Sequence, residues 1–174
     1  MLAVAFLLSA GDRTLAQATD EYRVKAAFLF HFAQLVDWPA SALGDEKQPL
    51  TLCTIGKDPF GGNLEATLQG KFIGARALQI RHLKQREEFH GCHVLFVSNS
   101  ERKEVVPLLA ALRDEPILTV GESGEFVKQG GMIDFCMENS KVRFDINVDA
   151  ALRVNLKISS RLLLLAKNVI GNHS

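Results

Sequence analysis

The sequence predicts an α/β domain: a largely parallel sheet flanked by helices, with a C-terminal antiparallel hairpin at one edge. Three observations predict it. Short apolar segments of strand character, at 50–55 (LTLCTI), 77–83, 93–97 (HVLFV) and 117–120, alternate with segments of helical pattern. The third of these runs on apolar residues without alternation, which suits a strand covered on both faces. Beyond residue 131 the pattern changes to two alternating segments, 132–137 and 141–147, around Glu138-Asn139-Ser140, the signature of a hairpin. The first strand is expected at the centre, with the second and third beside it.

From the N-terminus, Leu2 to Ala10 is an unbroken apolar and small-residue run, followed by a polar spacer and Ala16-Gln17-Ala18. Small residues at the −3 and −1 positions are what signal peptidase accepts, so residues 1–18 are expected to be an export signal cleaved after Ala18, leaving 19–174 as a single domain. No Lys or Arg precedes the run within the sequence. The run is too short to span ~30 Å of hydrocarbon at ~1.5 Å per residue. Export removes ATP and NAD chemistry from consideration and allows disulfides. Lys+Arg and Asp+Glu balance at 20 each, with no basic stripe, so nothing favours nucleic acid.

Residues 20–36 read as a helix stopped by Trp38-Pro39. Only Tyr22, Arg23, Lys25, His31 and Gln34 remain for a polar face, so more than one side must be covered. Phe28, Phe30 and Phe32 are its candidate partner or dimer surface; burial within one subunit is the alternative. A helix is expected over 59–68, with Asp58 as N-cap and Pro59 in the first position. Residues 100–113 read as a helix delayed or kinked by Pro107. In the hairpin, Val142, Phe144 and Ile146 point one way and Lys141, Arg143 and Asp145 the other. A helical turn is expected over 149–155. A final helix, capped by Ser159 or Ser160, is expected to run through Ile170 and stop at Gly171.

The loops after the first and fourth strands form a candidate ligand rim: Gly56, Asp58, Gly61 and Gly62 on one, Gly121 and Ser123 on the other. The spacing Gly56-x4-Gly61 imitates a phosphate loop, but Gly62 and Asn63 stand where Lys and Ser/Thr are required. Ser123 is placed to cap a short helix through Phe126. As a nucleophile it lacks a base, since only His173 follows it. His82, His90, Cys92 and His93 cluster without a metal-ligand spacing, and neighbours on a strand face opposite ways. No metal, cofactor or catalytic constellation is therefore expected. If the first and third strands are neighbours, Cys53 and Cys92 come within disulfide reach; two buried free thiols are the alternative. Cys136 is left over.

Lys25-Ala-Ala-Phe-Leu with Phe32 and Trp38-Pro39, then Cys53-Thr-Ile-Gly-Lys-Asp-Pro-Phe-Gly61, resemble the YfiR/HmsC-like family of periplasmic signalling proteins. So do Gly91-Cys92-His-Val-Leu-Phe-Val-Ser98, Ile117-Leu-Thr-Val-Gly121, Gly130-Gly-Met-Ile-Asp-Phe135, Val142-Arg-Phe-Asp-Ile-Asn147 and Ile158-Ser-Ser-Arg-Leu-Leu163. The resemblance implies a non-enzymatic regulator that binds the periplasmic sensor domain of an inner-membrane diguanylate cyclase and holds it inactive. It implies a homodimer, and release through envelope stress, redox change or an outer-membrane lipoprotein. Cys53 and Cys92 match the family's disulfide cysteines. A second pair present in some members has only Cys136 here. A periplasmic small-ligand sensor reporting to a membrane histidine kinase or cyclase is the competing expectation.

Overall fold

The computed structural model describes residues 11–84 and 89–171. The apolar run Leu2 to Ala10 of the expected export signal lies outside them. Helix α1 (Gly11–Gln34) leads into the two-residue strand β1 (Val36–Asp37) and the short helix α2 (Ala40–Leu43). There follow β2 (Leu50–Ile55), α3 (Asn63–Leu68), β3 (Phe72–Ile73), β4 (Arg76–Leu83), β5 (Val94–Val97), α4 (Val105–Ala111), β6 (Leu118–Gly121), β7 (Ile133–Glu138) and β8 (Lys141–Asn147). The chain ends with α5 (Val148–Arg153), β9 (Lys157–Ile158), α6 (Ser160–Leu165) and β10 (Asn168–Ile170). Among the described residues no helix is long and apolar enough to cross a membrane.

The main sheet has the order β10-β8-β7-β6-β5-β2-β4-β3. β2 lies between β4 and β5 and is parallel to both, as the sequence predicts for its first three strands. The β7–β8 hairpin is antiparallel and turns through Asn139 and Ser140, whose φ values of 50° and 60° suit a two-residue hairpin turn. Residues two apart in β2 and β5 share a face. Leu50, Leu52, Val94 and Phe96 meet α1 and α3, while Cys53, Ile55, Leu95 and Val97 meet α4. Both faces are covered, which explains the unalternating apolar strands.

Four expectations are corrected. The expected final helix ends at Leu165, and residues 168–170 form β10, parallel to β8, so the hairpin is next to the sheet edge rather than at it. Extended Ala166 turns the chain out, and Lys167 N–H donates to Phe144 C=O. α3 begins at Asn63, not Pro59. Asp58 Oδ1 instead accepts from Phe60 N–H, and Phe60 turns inward against Phe96 and Tyr22. Burying that ring wins over an early helix start, and Gly61 and Gly62 at φ 56° and 88° reverse the chain behind it. Residues 122–131 form turns, so Ser123 caps no helix. α1 begins at Gly11 rather than at residue 20, running through the expected cleavage point after Ala18, and ends at Gln34, two residues before the expected boundary, where Val36 pairs with Ile158. Pro107 falls third in α4, where its missing N–H costs nothing. Ser159 caps α6 by accepting from Leu162 N–H.

The register Cys53↔Leu95 between β2 and β5 brings Cys53 to Cys92 at a Cα separation of 5.8 Å, and the two form a disulfide under α4. It closes a loop of sequence separation 39, for which the chain-entropy estimate is ~3–4 kcal/mol. The double variant Cys53→Ala/Cys92→Ala is expected to lose at least ~3 kcal/mol in urea unfolding; an unchanged midpoint contradicts this.

Candidate functional site

The parallel strands carry loops at their carboxyl ends, and the order of connection reverses between β2 and β5, the usual place for a ligand crevice. Here that crevice is filled. Gly56 has φ 94°, and a Cβ on it would press into Ser98, Ser100 and Glu101. Lys57 N–H donates to Ser100 Oγ at 2.8 Å. Of the expected rim, Gly56, Asp58, Gly61 and Gly62 therefore line no cavity of note.

The opening lies further along, at the carboxyl ends of β5, β6 and β7 beneath the first turns of α1 that pack on the sheet. It is a cavity of about 390 Å³, lined by Tyr22, Lys25, Asn99, Glu122, Ser123 and Phe135 among others. Gly121 sits behind it. A Cβ on Gly121 or Gly131 would overlap the ring of Phe126, so these two glycines let Phe126 clamp the loop 122–131 onto the sheet.

A buried ionic network forms the cavity floor. Lys25 Nζ donates to Glu122 Oε2 at 2.7 Å and to Glu21 Oε1 at 2.6 Å, with the Lys25 and Glu122 side chains only 5% and 4% exposed. Tyr22 Oη donates to Glu122 Oε2 at 3.1 Å, and Asn99 N–H donates to Glu122 Oε1. The ammonium lies 4.4 Å from the Tyr22 ring centre. Burial opposes the charge on Lys25, but Glu122 and the hydrogen bonds outweigh it, so its pKa is raised. Burial, reinforced by the Glu122 charge, pushes the Tyr22 phenol up to about 12. Sequence reasoning missed Glu122. The available signal was a Glu immediately after a strand, together with Tyr22 and Lys25 among the few polar residues of an apolar helix.

Asp134, on the α4 side of β7, is 2% exposed. Its Oδ2 accepts from Phe126 N–H at 2.9 Å, and the Gly124 and Ser123 backbones also favour the charged carboxylate. Burial raises its pKa to about 6, with the Asp145 charge on the facing strand adding to the shift. The Asp134 face of β7 is thus roofed by the loop. Cys136, two residues on, is a half-buried free thiol whose pKa is raised by burial and by Asp145, which weakens it as a nucleophile.

The three phenylalanines of α1 separate. Phe32 is 0% exposed and stacks on Phe135, so it presents nothing to a partner. Phe30 is half-buried beside Lys71, and Phe28, also half-buried, lines a groove of about 650 Å³ with Val24, Met137 and Val142. The histidines are engaged separately. His82 contacts Thr54 and Glu65, while His93 Nδ1 accepts from Thr51 N–H and its Nε2 meets Ala42 C=O. Among the described residues no group of three or more His, Cys, Asp or Glu side chains is placed to hold a metal ion.

The mainly parallel sheet, covered by helices on both faces, defines an α/β domain with a cavity at its carboxyl rim. The YfiR/HmsC-like family profile matches residues 22–167, and the chain belongs to that family. No curated protein matches it. Solved structures share the fold, two of them as follows. One is a conserved domain protein from Vibrio cholerae O1 biovar eltor strain N16961, at TM-score 0.51 and 9% identity, with 69% of this chain and 54% of that one covered. The other is the ABC domain from Streptococcus pneumonia in complex with L-Trp, at TM-score 0.54 and 10% identity, with 70% and 55% covered. The chain spans about half the length of each.

Asp134 sets a pH dependence. Its folded pKa, raised above 3.8, favours folding most below pH ~4, and that advantage is lost as pH rises through about 6. Asp134→Asn is therefore expected to be more stable than the parent at pH 7.5 by ~2–3 kcal/mol, the gap closing by pH 4. His93, with a lowered pKa, destabilises both proteins on acidification, so the difference between their urea midpoints is the quantity to follow. A gap independent of pH contradicts the assignment.

Proposed function

We propose that the chain is a periplasmic, non-enzymatic regulator of cyclic di-GMP signalling that binds the sensor domain of an inner-membrane diguanylate cyclase and holds it inactive. Family membership over residues 22–167 carries this reading. The Cys53–Cys92 disulfide supports an oxidising compartment, and with it export and cleavage after Ala18. The regulator works as a homodimer, and sequestration by an outer-membrane lipoprotein releases the cyclase. Binding biases the cyclase toward its inactive arrangement, and masking the binding face removes that bias.

Phe28, rather than Phe30 or Phe32, is the contact residue in this reading. It opens with Val24 and Met137, 41% and 43% exposed, onto the groove between α1 and the hairpin. Asp20 and Lys141 flank these apolar residues, the arrangement of an apolar centre with a polar border that protein partners use.

The cavity of about 390 Å³ favours a second reading, a periplasmic small-ligand sensor reporting to a membrane histidine kinase or cyclase.

Deleting the gene is expected to raise cellular cyclic di-GMP and biofilm, and the wild-type gene to restore both. Val24→Asp, at an exposed helix position, is expected to fold normally yet fail to restore repression and lose the cyclase from pull-downs of envelope membranes. Unchanged cyclic di-GMP in the deletion strain contradicts the regulator; full repression by Val24→Asp contradicts the groove.

A further inference from the structure

We propose that the cavity between α1 and the carboxyl ends of β5, β6 and β7 binds a small organic ammonium ion, held by Glu21 and Ser123 beside the ring of Tyr22. This rests on the second reading above, that the cavity is a ligand site, and adds the chemical class of the ligand.

Charge comes first. The lining contains two carboxylates, Glu21 and Glu122, against one ammonium, Lys25, and so carries one negative charge in excess. Glu122 is saturated by Lys25, Tyr22 and the Asn99 N–H and is 4% exposed. Glu21 is different: its side chain is 23% exposed, and it stands on the cavity wall with one oxygen on Lys25. The excess charge is therefore offered at Glu21, where an incoming cation can reach it. In a partly enclosed site such a charge is screened less than on an open surface.

The other walls fit the same ligand. Ser123 lines the cavity, and its Oγ is buried with no hydrogen-bond partner among the described residues. A buried hydroxyl left unpaired is costly, and a ligand that reaches it can pair with it as donor or acceptor. Tyr22 donates its hydroxyl hydrogen to Glu122, so its oxygen faces a ligand only as an acceptor. The rings of Tyr22 and Phe135 already lie 4.4 Å and 5.8 Å from the Lys25 ammonium, which shows that this corner accommodates a cation over aromatic faces. The excess negative charge at Glu21 and the Tyr22 ring favour a cation and disfavour a carboxylate or phosphate. A volume of about 390 Å³ limits it to a small molecule.

Tyr22 is the only tyrosine in the chain and stands in the cavity, so its near-ultraviolet circular dichroism reports occupancy. The mature protein is titrated with 1,4-diaminobutane, and with butane-1,4-diol and succinate as neutral and anionic probes of the same length, by calorimetry and by the Tyr22 signal. Saturable one-to-one binding of the diamine, with a Tyr22 change, is expected, and little or none of the other two. Glu21→Gln, at a partly exposed helix position, is expected to weaken the diamine about tenfold, and Ser123→Ala to weaken it less. If succinate or the diol binds with a Tyr22 change and the diamine does not, the cavity is a ligand site but the ammonium class is wrong. If no probe gives heat or a Tyr22 change, the ammonium proposal is overturned, and the ligand-site reading loses its support with it. Diamine binding unaffected by Glu21→Gln places it elsewhere and overturns the proposal.

Discussion

The buried pair Lys25–Glu122 is the constraint on which the rest of the molecule is arranged. It joins α1 to the end of β6 across a sequence separation of 97, with both side chains about 95% withdrawn from solvent. A pair so buried adds little stability over an apolar replacement, yet breaking it strands a charge. It therefore acts mainly on geometry. α1 cannot slide or rotate on the sheet without uncovering one of the two charges, and the hydrogen bonds from Tyr22 and Asn99 tie the strand ends into the same point.

With α1 fixed in this way, its surplus of apolar residues has one distribution. Ala26, Leu29, Phe32 and Ala33 are withdrawn completely into the core, with Phe28 and Phe32 packed on Phe135 and Phe144 of the hairpin. Val24 and part of Phe28 remain on the outside, over the groove. One helix thus walls both the cavity and the groove, and Glu21 and Met137 border each of them. The two surfaces of functional interest adjoin along the same element.

The fold was largely legible because its signals are local. Alternation of strand and helix patterns, the apolar run of β5 and the Asn139-Ser140 turn each lie within a few residues. The pairing of Cys53 with Cys92 stood beside two free thiols as alternatives in the sequence, and the adjacency of β2 and β5 decides between them. What escaped depends on distant partners. The three residues of β10 have no pattern of their own and become a strand only because β8 offers an edge. Phe60 overrides the helix-start signal of Asp58-Pro59 because a core ring is waiting for it. The rim expected at Gly56 to Gly62 was at the right end of the sheet, but Ser98, Ser100 and Glu101 fill that crevice, and the opening moved to Ser123. Glu122 and Lys25 could not be paired by spacing alone, since each is an ordinary charge within its own segment.

A double-mutant cycle on Lys25→Met and Glu122→Gln, read by urea unfolding, tests this account most directly. Lys25→Met should cost ~3–5 kcal/mol by stranding Glu122, Glu122→Gln less because Glu21 still holds Lys25, and the double variant no more than the larger single, so that the coupling is at least the cost of the smaller. Losses that simply add would mean that the two charges do not depend on each other, and that α1 is held on the sheet by its apolar face alone.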